Sequence, residues 1–228
     1  MRVKVATWNV HGCVGADGRF DPERTLEVLR SLDADVIALQ ELRWRPDEAL
    51  HLLERFARAL GYAPLAGPTL MRPDGHYGNA LLTRLPVEAT RQEALSVPGR
   101  EPRGALQAVL RAGNGPLGVV ATHLGLAPGE RRAQMRRALE LVNATAKPVV
   151  LMGDLNEWFL WGRPLRWLRA HFGRTAAPAT FPARWPVVAL DRIWVEPAGR
   201  LERIAVHRAP PAKAASDHLP LCATLALD

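Results

Sequence analysis

Six apolar runs in this chain end on, or carry close to one end, a carboxylate, an amide or an imidazole. Val3 to Trp8 is followed by Asn9, Asp35 to Leu39 by Gln40-Glu41, and Gly118 to Thr122 by His123. Lys147 to Gly153 is followed by Asp154 and Asn156, Leu190 to Trp194 carries Asp191 inside its own apolar stretch, and Ser216-Asp217-His218 opens the last run. Short, dense apolar runs of this kind fold as buried strands. A charged group placed at the edge of a core is costly unless it is paired or used. One such ending is a strand surfacing into a turn. Six of them, with no competing Ser or Cys nucleophile motif, describe a single cleft into which several strands deliver their last side chains.

The spacing of the runs bounds the architecture. Strand-like segments end near Trp8, Leu39, Thr83, Arg111, Thr122, Met152, Val195, Val206 and Ala226, and helical periodicity covers 22–32, 46–60, 129–146 and 163–172. The first helix has Asp21 as N-cap, Pro22 at the first turn and Leu26, Leu29 and Leu32 at helical spacing. Several strands alternate, as in Leu106, Ala108 and Leu110, which marks sheets with two unlike faces rather than a doubly wound parallel sheet. The expectation is an α/β sandwich with two packed sheets and helices outside. It occupies residues 1–228 as one domain, since 228 residues suffice for a self-supporting core. The Pro/Ala stretch Ala209 to Ala215 reads as a loop.

No run approaches the roughly 18 apolar residues of a membrane helix, and MRVKVATWNV enters a strand pattern without the apolar core of a signal peptide. The expected location is the cytoplasm, with Cys13 and Cys222 as unpaired apolar residues. No obligate protein partner is evident. Thirty Lys and Arg against 23 Asp and Glu give a net charge of +7, and only Lys4, Lys147 and Lys213 are lysines. A basic surface favours a polyanionic partner, although an arginine excess also arises from overall composition.

The collected side chains are Glu41, Asp154, Asp191, Asp217, Asn9, Asn156, His123 and His218. This oxygen-rich set suits Mg²⁺, with Mn²⁺ able to substitute, better than zinc, for which there is neither a His-x-x-x-His pair nor a cysteine cluster. A divalent metal at a phosphoryl oxygen, a carboxylate that activates water, and amide or imidazole donors around the phosphate make a phosphoester-hydrolysis site.

Taken in order, Thr7-Trp8-Asn9-Val10-His11-Gly12, Leu39-Gln40-Glu41, Gly78-Asn79-Ala80, Thr122-His123-Leu124, Gly153-Asp154-Leu155-Asn156, Leu190-Asp191-Arg192-Ile193 and Ser216-Asp217-His218 resemble the motifs of the endonuclease/exonuclease/phosphatase family. That family includes deoxyribonuclease I, abasic-site endonucleases, inositol polyphosphate 5-phosphatases and neutral sphingomyelinases. The resemblance implies a four-layered α/β sandwich of two mixed sheets packed face to face. It implies Glu41 as the main Mg²⁺ ligand, Asn9 beside it holding a ligand water or the phosphate, and Asp217 at the metal or a second metal. Asp154 would orient or deprotonate the attacking water, and Asn156 would donate to a phosphate oxygen. His218 would contact the scissile phosphate with its ring held charged by Asp191. His123 stands where the phosphatase and sphingomyelinase branches carry His and abasic-site endonucleases usually carry Tyr, which lowers the abasic-site reading.

Several features stay open at this level. Asn79 is a phosphate-binding candidate or a loop amide, and Arg103 a bidentate phosphate donor or a surface arginine. The basic start Glu130 to Arg137 is a solvated face, or supports His123 through Arg131 and Gln134. Trp158-Phe159-Leu160-Trp161 would stack bases, dip into a lipid headgroup layer, or cap the sandwich. The expected activity is a Mg²⁺-dependent phosphodiesterase or phosphatase on a phospholipid headgroup or small phosphoester. The alternative is a nonspecific endonuclease acting on DNA. An inactive binding module ranks last, because Glu41, Asp154 and His218 are all present.

Overall fold

A computed structural model of the chain describes residues 1–44, 52–72 and 75–227. Two mixed sheets carry the frame. The first runs in the order β10 (Leu201–Val206), β11 (Leu221–Ala226), β1 (Arg2–Asn9), β2 (Val36–Trp44), β4 (Gly75–Thr83), β3 (Ala63–Arg72). The second runs β5 (Val87–Ala94), β6 (Gly104–Ala112), β7 (Gly115–His123), β8 (Val149–Asp154), β9 (Asp191–Glu196). Between their facing surfaces lies an apolar core that includes Val3, Val5, Leu81, Leu106, Val119, Met152 and Ile193. On the outer face of the first sheet, α1 (Pro22–Leu32) and α2 (Leu52–Leu60) cover Trp8, Ile37 and Leu39. On the outer face of the second, α3 (Pro128–Ala144) and α4 (Arg163–Phe172) cover Val120, Leu151 and Trp194. The result is the expected four-layered α/β sandwich. Among the described residues, no helix is long and apolar enough to cross a membrane.

Local chemistry explains the element ends. The Asp21 side chain accepts the Arg24 N–H at the start of α1, and Asp33 closes that helix in the left-handed region at φ 42°. Sequence periodicity places α1 and α4 where they stand, while the predicted stretch 46–51 lies outside the described residues. Two strands escape the apolar-run reading, β3 and β5, and both are sheet edges. β5 is exposed along nearly its whole length, and β3 carries Pro64 and Pro68, as unpaired edges tolerate. The Pro/Ala stretch expected to be a loop contains a short helix, α5 (Ala212–Ala215), whose Ala212 and Ala215 are buried.

Strand register sets the cleft. β1 and β2 are parallel, with Asn9 opposite Gln40. β7 and β8 are parallel with His123 opposite Asp154, and β8 and β9 are antiparallel with Asp154 opposite Asp191. The β2–β4 pairing slips between Leu39 and Leu42, and within that slip Glu41 takes φ 57°. A bulge of this kind re-aims one side chain out of the pleat.

Candidate active site

Asn9, Glu41, His123, Asp154, Asn156, Asp191 and His218 converge where the two sheets meet. Asp154 lies at their centre and is 1% exposed. The strand can turn there because Gly153 precedes it at φ 149°, where an added Cβ would stand 1.8 Å from Thr122 O. The chain then turns back through Asn156 at φ 49°, whose backbone N–H donates to Asp154 Oδ1 at 2.9 Å. Asn9 bridges the two sheets. Its Nδ2 donates to Glu41 Oε1 at 2.9 Å and to Asp154 Oδ2 at 3.1 Å, while its Oδ1 accepts the His11 N–H at 3.0 Å. That last bond fixes the amide orientation. Asn9 therefore presents nitrogen to the two carboxylates, and its oxygen already accepts one bond from the His11 backbone.

The opposite wall is an acid–imidazole pair. His218 Nδ1 lies 2.8 Å from Asp191 Oδ2, which also accepts from Thr180 Oγ1 at 2.6 Å. Ser216 Oγ accepts the His218 N–H at 3.1 Å and donates to Asn9 O at 2.7 Å, so this pair is tied to β1. Phe181 packs on the imidazole with ring centroids 4.8 Å apart. Burial opposes charge on His218, but the charge and hydrogen bond of Asp191 outweigh it and raise the ring to about 10. Its Nε2 then faces Asp154 Oδ2 at 3.7 Å. Burial, reinforced by Asp191, lifts the Asp154 carboxyl to about 6, while His218 and the Asn156 and Asn9 donors pull it down. The pair couples a carboxylate poised to take a proton with an imidazolium able to give one.

His123 is a different kind of histidine. Burial first, then the nearby charges of Arg103 and His218, push its ring well below the usual imidazole range, so it is neutral. Arg103 Nη1 lies 3.0 Å from Nδ1, and a guanidinium can only donate. Nδ1 is thus the acceptor and the proton sits on Nε2, which lies 3.5 Å from Asp154 Oδ2 and 3.9 Å from Glu41 Oε1. The 3.0 Å approach of Asn156 Nδ2 to the same Nε2 then finds no lone pair, and the Asn156 amide is held by its bond to Leu124 O at 2.9 Å.

The side chains of Arg103, Asn79 and Asp217, candidates from the sequence, are engaged with other protein groups. Arg103 is 6% exposed, with one arm on His123 and the other on Glu101 Oε2 at 3.0 Å, so it braces the imidazole instead of waiting for a phosphate. Asn79 is buried and its amide donates to Gly104 O at 2.9 Å, which joins β4 to β6 across the sandwich. Asp217 is half-exposed and turned toward the rim, 3.8 Å from His11 Nδ1, outside the group formed by Asp154, Asp191 and His218. Arg131 does not support His123 but pairs with Glu157 in the interior, whereas Gln134 Oε1 accepts the Gly125 N–H at 2.7 Å and so steadies the turn after His123. Sequence reading missed Thr180, Phe181 and Tyr77. Thr180 and Phe181 sit in an irregular loop with no periodic signal. Tyr77 is raised by burial and by the charge and hydrogen bond of Glu41, and only its place beside Gly78-Asn79 hints at it.

The chemistry of the donors decides what cation fits. Glu41 is the partly open carboxylate, 23% exposed at its side chain, and the site around it offers oxygens and no thiolate, as Mg²⁺ or Mn²⁺ prefers. Asp154, Asp191 and His218 also bring ligand atoms within 4.8 Å of one another. A cation among those three would compete with the Nδ1–Oδ2 bond that orients His218, so Glu41 is the better anchor.

Relatives share this frame. The E. coli K12 protein YbhP, itself uncharacterised, is 33% identical over an alignment covering 98% of this chain and 96% of that protein. An endonuclease/exonuclease/phosphatase structure from Beutenbergia cavernae superposes with TM-score 0.80 at 23% identity, covering 99% of this chain and 72% of that one. D. rerio TDP2, solved with a single-strand DNA product, superposes with TM-score 0.74 at 19% identity, with 99% of each chain covered. The human Nocturnin catalytic domain with bound sulfate gives 0.75 at 19%, covering 100% of this chain and 94% of that one. These neighbours show the fold, and the model of the endonuclease/exonuclease/phosphatase family matches residues 6–218. With strand ends, catalytic-type side chains and nearly the full length in agreement, the chain belongs to the endonuclease/exonuclease/phosphatase family.

Proposed function

We propose that this protein is a Mg²⁺-dependent phosphoester hydrolase, a phosphodiesterase or phosphatase in which Asp154 activates water. The observation that carries the reading is the buried Asp154–His218–Asp191 array, with its carboxyl raised to about 6 and its imidazole to about 10, set beside Glu41. Asp154 takes the proton of the attacking water, and His218 donates toward a phosphoryl oxygen or the leaving group. His123 Nε2–H is the neutral donor that orients the phosphate, and Asn9 Nδ2 holds the Glu41 and Asp154 carboxylates together. Glu41 is the residue to hold Mg²⁺, which would supply Lewis-acid polarisation of the phosphoryl group.

The test is hydrolysis of bis(p-nitrophenyl) phosphate in Mg²⁺, with an EDTA control and the Asp154→Asn protein. The expected result is activity lost with EDTA and a kcat reduced about 10²-fold or more with KM nearly kept in the variant. Near-normal turnover by folded Asp154→Asn sinks the assignment. The second reading, a nonspecific endonuclease, draws on the net charge of +7. Nicking of supercoiled plasmid, abolished by His218→Ala, decides in its favour.

A further inference from the structure

The chain leaves an apolar patch uncovered on one side of the catalytic cleft. Trp158, Phe159, Leu160 and Trp161 are 49%, 52%, 60% and 73% exposed, and Trp185 and Val187 are 74% and 77% exposed. Large apolar side chains left this open in a contiguous group mark a docking surface. The two loops that carry them are joined. Trp158 meets the edge of Phe181 at 5.7 Å, and Phe181 opens a tight hairpin in which the Val187 and Val188 N–H groups both donate to Phe181 O at 2.9 Å. Trp185 sits at the hairpin's turn. Because Phe181 also packs on His218, the patch is continuous with the reacting group.

Its charge is one-sided. From Trp158 to Leu190 there is no Asp or Glu, while Arg163, Arg166, Arg169, Arg174 and Arg184 fall in the same stretch. All five are exposed and none makes an ion pair among the described residues. A groove of about 250 Å³ opens between Phe159, Trp161, Pro128, Arg132 and Arg163. The acid that lines it, Glu157, is tied to Arg131. Indole rings and aliphatic side chains with Arg132 and Arg163 in the adjoining groove match the boundary of a bilayer with anionic headgroups. Leu160 and Val187 offer no π-face on which a base could stack, and their aliphatic surface favours the bilayer boundary.

We infer that the Trp158–Trp161 loop and the Phe181–Val188 hairpin dock on an anionic phospholipid surface, which makes a lipid headgroup phosphoester the substrate class. The substrate half of this inference rests on the hydrolase reading above, and the docking half does not. The experiment is flotation of the full chain with vesicles of phosphatidylcholine, with and without phosphatidylglycerol, alongside hydrolysis of soluble bis(p-nitrophenyl) phosphate. Wild type should float with the anionic vesicles. The Trp161→Ser/Trp185→Ser protein should partition about tenfold more weakly, and each of Arg132→Gln and Arg163→Gln about fivefold more weakly, all with unchanged turnover of the soluble diester. An active protein that ignores anionic vesicles overturns the inference, as does flotation unaffected by these substitutions. Gel-shift binding of single-stranded DNA that the same substitutions abolish, without vesicle binding, overturns it in favour of nucleic acid. Flotation by a protein inactive on the soluble diester supports the docking surface and overturns the hydrolase reading instead.

Discussion

Asp191 is placed to decide how His218 behaves. Buried imidazoles normally lose their charge, as His123 does, and the two histidines differ because one faces a carboxylate and the other a guanidinium. Asp191→Asn removes the group that outweighs burial, so the His218 ring should fall from about 10 to the ordinary imidazole range or lower. Activity then loses its alkaline limb first. In wild type, kcat/KM should rise through pH about 6 as Asp154 ionises and fall near pH about 10 as His218 loses its proton. In Asp191→Asn the upper limb should move down by several pH units, with a loss on the order of 10²-fold or more at pH 8. An unmoved alkaline limb would show that another group sets it. Linkage gives the same pair a stability signature. Both folded values are raised, so each contribution is complete below the unfolded value and is lost as pH rises, through about 6 for Asp154 and through about 10 for His218. At this scale the sequence was legible where a polar residue ended an apolar run, which is how Asp154, Glu41 and His218 stand out. It was not legible for Arg103 or Asn79, because a motif names the residue without saying whether its donors are already engaged.

Elements place these groups, and the ties between elements are polar as often as apolar. Arg131 on α3 forms a two-pronged pair with Glu157, with Nε–Oε2 and Nη2–Oε1 both at 3.2 Å, and the two side chains are 2% and 3% exposed. Arg131 also donates to Leu126 O, and Glu157 accepts the Phe159 N–H at 3.2 Å, so the pair fastens the loop after Asn156 to the helix after His123. Breaking one side of a buried pair strands a charge and costs about 3–5 kcal/mol. Glu157→Ala should lose about that much in urea unfolding, while Glu157→Leu with Arg131→Leu should recover a large part of it, because no charge is left behind. A loss below about 1 kcal/mol in the single variant would mean that water reaches the pair. The sequence pointed the other way here, since the Glu130 to Arg137 run has the composition of a solvated face. The element map itself was readable wherever strands were buried on both faces. β3 and β5 were not, because an edge strand needs no apolar run to hold its place.

At the scale of the whole molecule, the cleft forms only because each sheet contributes a wall. Glu41 and Asn9 come from the first sheet, Asp154, His123 and Asp191 from the second, and the Asn9 amide bridges them by donating to both carboxylates. Two carboxylates this close repel unless a cation or a proton intervenes. A divalent ion that binds the folded cleft and not the unfolded chain must therefore stabilise the protein by mass action. At about 100 times its dissociation constant the gain is about 2.7 kcal/mol, which for a chain of this size is a rise in Tm of roughly 5–10 °C. Calorimetry of wild type with Mg²⁺ against EDTA should show a shift of that order, and Glu41→Gln should remove it while keeping the EDTA value. The second acidic group, Asp154 and Asp191 with His218, gives the experiment its opposite outcome. If the cation sat there, Glu41→Gln would retain the Mg²⁺ shift and His218→Ala would change it, and Glu41 would have to be withdrawn as the anchor.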